Sequence, residues 1–79
     1  NERNITMIFK CTARYEVVKE VKDYSDRFQL RDLGKIEHTF YDLKSFDDAR
    51  TQFDIIIESF KNIFGKKLIS IQITDIHQD

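Results

Sequence analysis

A chain of 79 residues is long enough for one hydrophobic core and too short for two, so we expect a single domain over residues 1–79. Its apolar content of 41% argues against a disordered chain, and no apolar run approaches the ~20 residues that a membrane-spanning helix needs. With 13 basic and 14 acidic side chains the net charge is −1, so no field of the whole molecule attracts nucleic acid or an anionic membrane.

The first long segment is compatible with two secondary structures. Between residues 5 and 21 apolar side chains occupy nearly every second position, which predicts one long, half-buried strand. A helical stripe also fits part of this segment, with Thr12 as its N-cap. The members of that stripe are Ala13, Val17, Val21, Tyr24 and Phe28. The valines, the tyrosines and the lack of a breaker after Cys11 favour the strand.

Two turns are predicted in the middle of the chain. Residues 23–26, with the sequence Asp-Tyr-Ser-Asp, have the composition of a hairpin turn. Residues 28–43 alternate again, and Gly34 predicts a turn at residues 32–35 that joins two strands. This region is therefore expected to form a hairpin of its own.

The clearest element is an amphipathic helix predicted over residues 46–64, because its apolar side chains recur at steps of three and four. The stripe comprises Ala49, Phe53, Ile56, Ile57, Phe60 and Phe64. Ser45 is placed to accept a hydrogen bond from a first-turn amide, and Asp47 and Asp48 complement the positive helix end. Gly65 can adopt left-handed backbone, so the helix is expected to end there.

A final strand is predicted after the helix, since apolar and polar side chains alternate over residues 68–76. Together these elements predict an α+β fold. One long amphipathic helix packs on a small antiparallel sheet, which contains a long N-terminal strand or hairpin and the C-terminal strand. If residues 13–24 form a helix instead, the order becomes the βαββαβ order of ferredoxin-like domains.

Few residues show the patterns that catalysis or metal binding requires. Cys11 and His38 are the one thiol and imidazole pair worth considering, but both fall on predicted apolar faces, where a structural cysteine is expected. Asp75, His77 and Asp79 alternate near the C-terminus, a poor position for a rigid metal site. We therefore expect a protein that is not an enzyme and has no metal or cofactor.

Nucleic-acid binding is the alternative function. Lys10, Arg14, Arg31 and Lys35 are predicted on the sheet or its rim, where they would form a local basic strip. The same segments contain acidic residues that offset this charge, which makes a mixed, solvated surface the simpler interpretation. These acidic residues include Glu16, Glu20, Asp32 and Glu37.

Contact with another protein is the function that the sequence favours. Some apolar side chains fall outside the predicted core faces, and the last strand would offer a free edge for pairing. The predicted contact residues are Tyr41, Ile55, Ile63, Leu68, Ser70 and Gln72. We expect a regulator or inhibitor, in the style of a small accessory protein of a virus or mobile element. Its contacts include self-association through the C-terminal strand or the helix.

The cellular setting is predicted from the cysteine content. The chain has a single cysteine, which cannot form an intramolecular disulfide and fits a reducing compartment. We therefore expect a cytoplasmic protein without a membrane partner.

Overall fold

The computed structural model describes residues 6–22 and 27–79. It contains strand β1 (Met7–Lys22), strand β2 (Arg27–Leu43), helix α1 (Phe46–Phe64), a 3₁₀ turn (Gly65–Lys67) and strand β3 (Leu68–Gln78). The strands form an antiparallel sheet in the order β2-β1-β3, with α1 packed on one face. The predicted α+β fold is confirmed. The ferredoxin-like alternative is wrong, because residues 13–22 continue β1.

β1 is the central strand, and its odd-numbered apolar side chains face α1. Phe9, Cys11, Ala13 and Val17 are buried, whereas even-numbered side chains such as Arg14 are exposed. Between Phe9 and Val17, pairing with β2 on one side and β3 on the other engages the backbone donors and acceptors of β1 within the sheet. The alternating pattern prevails over the helical one because it brings the apolar side chains of this segment to one face against α1.

β2 continues through residues 32–35, where a turn was predicted, so the second hairpin is wrong. Gly34 is a paired strand residue opposite Tyr15 of β1. The ring of Tyr15 occupies the space that a side chain at position 34 would need. This glycine therefore permits close packing of an aromatic ring instead of a change in chain direction.

α1 begins and ends where the sequence predicts. Ser45 has extended backbone (φ −154°, ψ 164°), and its hydroxyl accepts a 3.1 Å hydrogen bond from the amide of Asp48. At the other end Gly65 has φ 53°, in the left-handed region, and its amide donates to the carbonyl of Lys61. Within the described ranges, no helix is both long and apolar enough to cross a membrane.

Removing the N-cap tests the contribution of the helix start. Ser45→Ala is expected to lower the free energy of unfolding by about 1 kcal/mol, because the Asp48 amide loses its acceptor. Urea denaturation followed by circular dichroism measures the change. Ser59→Ala, at an exposed position within α1, is the control and is expected to stay within about 0.5 kcal/mol of wild type. A loss in the control as large as that in Ser45→Ala would contradict the capping role.

The core lies between α1 and the face of the sheet beneath it, which we call the helix face. Its buried members are Phe9, Cys11, Ala13, Ala49, Phe53 and Ile57. Phe40 extends the core from β2 and meets Phe53 edge to face, with ring centroids 6.5 Å apart. The predicted stripe is confirmed, since its remaining members Ile56, Phe60 and Phe64 are half-buried.

A bulge near the end of β2 changes which side chains face the core. Met7 pairs with Leu43, and Phe9 pairs with Phe40. One residue of β1 therefore lies opposite two residues of β2, so β2 contains an extra residue. Asp42 in this bulge has φ 62°, and its carboxylate accepts a 3.2 Å hydrogen bond from the Thr6 hydroxyl. Leu43 is thereby turned inward and packs against the core.

β3 contains irregularities at Ile69 and Thr74, where its register with β1 shifts. Each shift reverses the alternation of side chains. If the alternation that turns Ile71 inward continued without interruption, Leu68 and Ile76 would face outward. Because of the two shifts, both side chains are half-buried instead. Leu68, which periodicity places outside the core faces, therefore lies opposite Val17 on the helix face, because periodicity alone does not reveal a bulge.

β1 and β2 extend past the rest of the fold as a two-stranded ribbon. β3 pairs with β1 only as far as Val17, so residues 18–22 pair with residues 27–31 alone. We call these two segments the arm. The 16 residues of β1 span ~53 Å, whereas the 19 residues of α1 span ~28 Å. The turn predicted at residues 23–26 lies outside the described residues.

Candidate functional site

α1 leaves uncovered the opposite face of the sheet, which we call the open face, and the sheet has two outer strand edges, those of β2 and β3. Exposed apolar side chains are more numerous along β2. Residues paired across antiparallel strands share a face. Phe28 pairs with Val21 and therefore lies on the helix face, beyond the reach of α1. Leu33 pairs with Glu16 and lies on the open face.

β2 has more exposed large apolar side chains than any other element of the described chain. Phe28 is 44% exposed, Leu30 49%, Leu33 76% and Tyr41 65%. Single exposed apolar residues are common on soluble proteins, but those on β2 lie beside a strand edge that the described residues leave unpaired, which makes this edge the candidate contact surface. We call these four side chains, with the free backbone edge between them, the β2 surface.

Sequence reasoning identified Tyr41 but missed the other apolar members of the β2 surface. Leu33 was assigned to a turn, whereas Phe28 and Leu30 continue the alternation of the core face and resemble core residues. The length of the alternating segments was the signal that could have identified these residues as exposed. An alternating pattern that extends well beyond what a helix of 19 residues can cover indicates that part of the apolar face lacks a partner within the domain.

The other predicted contact residues do not form one surface. Ile55 is 58% and Ile63 78% exposed on α1, whereas Ser70 and Gln72 are exposed on the open face of β3. The sheet separates these two groups. Gln72 instead lies opposite Arg14, beside a shallow depression of about 310 Å³.

The predicted basic residues do share the open face, but their charge is largely compensated. Lys35 contacts Glu37 at 2.7 Å, Arg31 contacts Glu16 at 3.8 Å and Lys10 contacts Asp79 at 3.7 Å. The hydrogen bond from Lys35, and then its charge, lower the pKa of Glu37, so this carboxylate remains ionised below the usual pH. Arg14 makes no ion pair with a described carboxylate. The open face thus presents little net positive charge to a phosphate backbone.

Cys11 and His38 lie opposite each other in the register of β1 and β2. Cys11 is 1% exposed, and its burial, with a smaller effect from the charge of Asp75, raises the pKa of its thiol. His38 packs against Phe40, with ring centroids 4.4 Å apart. A buried thiol with a raised pKa is protonated at neutral pH and is a weak nucleophile. The geometry therefore favours a core cysteine.

The reactivity of Cys11 tests this interpretation. At pH 8 the folded protein is expected to react with iodoacetamide roughly 100-fold more slowly than the urea-unfolded protein, since modification requires local opening and deprotonation. Mass spectrometry of timed samples measures both rates. Alkylation of the folded protein at the unfolded rate would contradict the buried thiol and restore Cys11 as a candidate nucleophile.

The acidic and imidazole side chains at the end of β3 do not converge as metal ligands do. Asp75 and His77 share a hydrogen bond, while Asp79 pairs with Lys10. In residues 6–22 and 27–79, no group of at least three His, Cys, Asp or Glu side chains is arranged to hold a metal ion. A tetrahedral metal site needs more ligands than this pair supplies.

The β2 surface is thus the most distinctive feature of the described chain, combining a free strand edge with exposed apolar side chains. Comparisons with protein-family models, curated proteins and solved structures find no match to this chain.

Proposed function

We propose that this chain is a non-catalytic protein-binding module, acting as a regulator or inhibitor, that contacts its partner through the β2 surface. The observation that supports this proposal is the set of four exposed apolar side chains along a strand edge that residues 6–22 and 27–79 leave unpaired. A polypeptide partner can pair with the backbone of such an edge and cover the side chains on either face.

The chemistry of the edge favours protein over nucleic acid. Unpaired strand amides and carbonyls are best satisfied by another strand. Nucleic-acid binding would require the charge on the open face, where Lys10, Arg31 and Lys35 already contact carboxylates.

A single buried thiol also fits the reducing cytoplasm, which is where we place this function.

Paired variants of matched exposure test the proposed surface. Leu33→Ser with Tyr41→Ser removes apolar side chains that are 76% and 65% exposed on β2. Ile55→Ser with Ile63→Ser removes side chains that are 58% and 78% exposed on α1 and is the control. Capture from host lysate with quantitative mass spectrometry should recover a protein with wild type and the α1 variant. The β2 variant should recover about tenfold less of it, as expected for loss of apolar anchors.

The alternative outcomes assign the contact elsewhere. If the α1 variant loses the captured protein and the β2 variant retains it, the contact surface is the helix. If the wild-type protein captures no protein and forms no oligomer, the proposed function is wrong. Salt-sensitive retention of an oligonucleotide that is lost in Arg14→Glu would instead favour the nucleic-acid alternative.

A further inference from the structure

The two outer edges of the sheet differ in how they are protected. β3 contains irregularities at Ile69 and Thr74, which disturb the regular backbone that a new strand would pair with. β2 pairs with β1 without interruption from Phe40 to Arg27 and contains no proline. Bulges are one means by which edge strands avoid pairing with other chains, and a long regular edge favours such pairing.

We infer that the partner of the β2 surface is a second copy of this chain, whose β2 pairs antiparallel with the first about a twofold axis at Gly34. This inference rests on the proposed function, because it names the partner that the β2 surface binds. A twofold interface uses the same surface on both copies and must therefore be complementary to itself.

Complementarity selects the register. Paired residues share a face, so joining the two helix faces requires even-numbered residues of β2 to pair with even-numbered ones. An axis at Gly34 places Arg31 of each copy opposite Glu37 of the other, where these side chains would add to the contacts that they make with Glu16 and Lys35 within their own chain. Like charges directly opposite one another are destabilising. A twofold axis at Leu33 would place Arg31 of one copy opposite Lys35 of the other. A twofold axis at Lys35 would place the two Lys35 side chains opposite each other.

The same register matches the apolar residues. Phe28 of each copy lies opposite Phe40 of the other, and Leu30 lies opposite His38. Phe28 and Leu30 are 44% and 49% exposed in the single chain because α1 does not reach them. An axis at Ile36 keeps Lys35 opposite Glu37 but sets Leu30 against Asp42. Of these registers, the axis at Gly34 alone pairs both Arg31 with Glu37 and Phe28 with Phe40, although it also sets Asp32 opposite Ile36.

Pairing between two copies would also add a third strand to the arm. In the single chain the arm is a two-stranded ribbon, and isolated ribbons of this kind are only marginally stable in water. In the dimer each arm lies beside the core-forming half of the other copy's β2, which adds a third strand to it. The helix faces of the two sheets then form one continuous layer.

Charge exchange tests this pairing in solution. Sedimentation equilibrium of the full chain should show a reversible dimer. Arg31→Glu and Glu37→Arg alone should each raise the dimer dissociation constant about tenfold, because each homodimer then contains like charges at both symmetry-related contacts. An equimolar mixture of the two variants should recover wild-type affinity, since every contact in the mixed dimer has opposite charges. Lys61→Glu on α1 is the control and should not change the dissociation constant.

Cysteine crosslinking tests the register independently. Leu33→Cys mixed with Lys35→Cys should form a mixed disulfide under mild oxidation, because these positions face each other across the proposed axis. Native Cys11 is 1% exposed and should not take part. Crosslinking of Gln72→Cys with itself, and none between Leu33→Cys and Lys35→Cys, would identify a β3 interface and overturn the inference.

Failure of the dimer can be separated from failure of the proposed function. A protein that is monomeric at high micromolar concentration overturns self-pairing. If that monomer still captures another protein that the Leu33→Ser and Tyr41→Ser variant loses, the proposed function stands with a different partner. The register at Gly34 is overturned if Arg31→Glu and Glu37→Arg each dimerise with the wild-type dissociation constant. It is also overturned if the mixture of the two variants does not regain the wild-type dissociation constant.

Discussion

Replacing Phe53 with alanine is expected to lower the free energy of unfolding by about 3–5 kcal/mol, the usual range for a buried phenylalanine. Phe53 is 0% exposed and lies in the middle of the cluster that joins α1 to the sheet. Its loss removes apolar burial and also the edge contact with Phe40, and it leaves a cavity that the surrounding strands cannot easily fill. A domain of this size has only about 5–15 kcal/mol of stability in total. The variant should therefore be partly unfolded under mild conditions.

Urea denaturation monitored by circular dichroism and by tyrosine fluorescence measures this effect. Ile55→Ala on the same helix is the matched control, since Ile55 is 58% exposed and should change stability by less than about 0.5 kcal/mol. Comparable losses in the two variants would mean that α1 does not present Phe53 to the sheet as described.

The second large effect concerns the contact between Tyr15 and Gly34. Gly34→Ala is expected to lower the free energy of unfolding by about 1–3 kcal/mol, because the new methyl group overlaps the Tyr15 ring and must displace it. That ring packs on Phe60 with centroids 4.6 Å apart, and on Phe64 with centroids 6.4 Å apart. Displacing it therefore disturbs the contact between β1 and the C-terminal half of α1.

A double-mutant cycle isolates this contact. Tyr15→Ala alone should lower the free energy of unfolding by about 2–3 kcal/mol through lost aromatic packing. Adding Gly34→Ala to that variant should raise stability by about 0.5–1 kcal/mol, because the obstructing ring is gone and alanine is less flexible than glycine in the unfolded chain. The sign of the Gly34→Ala effect thus reverses. Equal losses in both backgrounds would contradict the role assigned to the ring.

These two predictions depend on features that the sequence reveals to different extents. Phe53 belongs to a helical stripe whose period is visible in the sequence, and both caps of α1 were predicted at Ser45 and Gly65. Gly34 was predicted to be a turn residue, since glycine between alternating segments commonly marks a turn. Only the tertiary contact with Tyr15 shows that it fills a different role.

Bulges account for another part of the difference between prediction and structure. Leu43 and Ile76 pack against the core, and Leu68 is half-buried, because an extra residue nearby reverses the alternation of side chains. A bulge depends on the pairing between two strands, so a single sequence contains little trace of it. Periodicity alone therefore puts Leu68 outside the core faces, whereas the structure puts it opposite Val17 on the helix face.

The sequence by itself determined the α+β class, the extent and stripe of α1, and an alternation that favours a strand over residues 7–22. These features depend on local periodicity and on capping residues, which act within a few positions of each other. Tertiary structure alone decided that β2 is one strand, that the arm extends beyond the end of α1, and that Phe28, Leu30 and Leu33 are exposed. Those properties depend on which elements pack together and how far each one reaches, and a residue's own neighbours in the chain do not specify that distance.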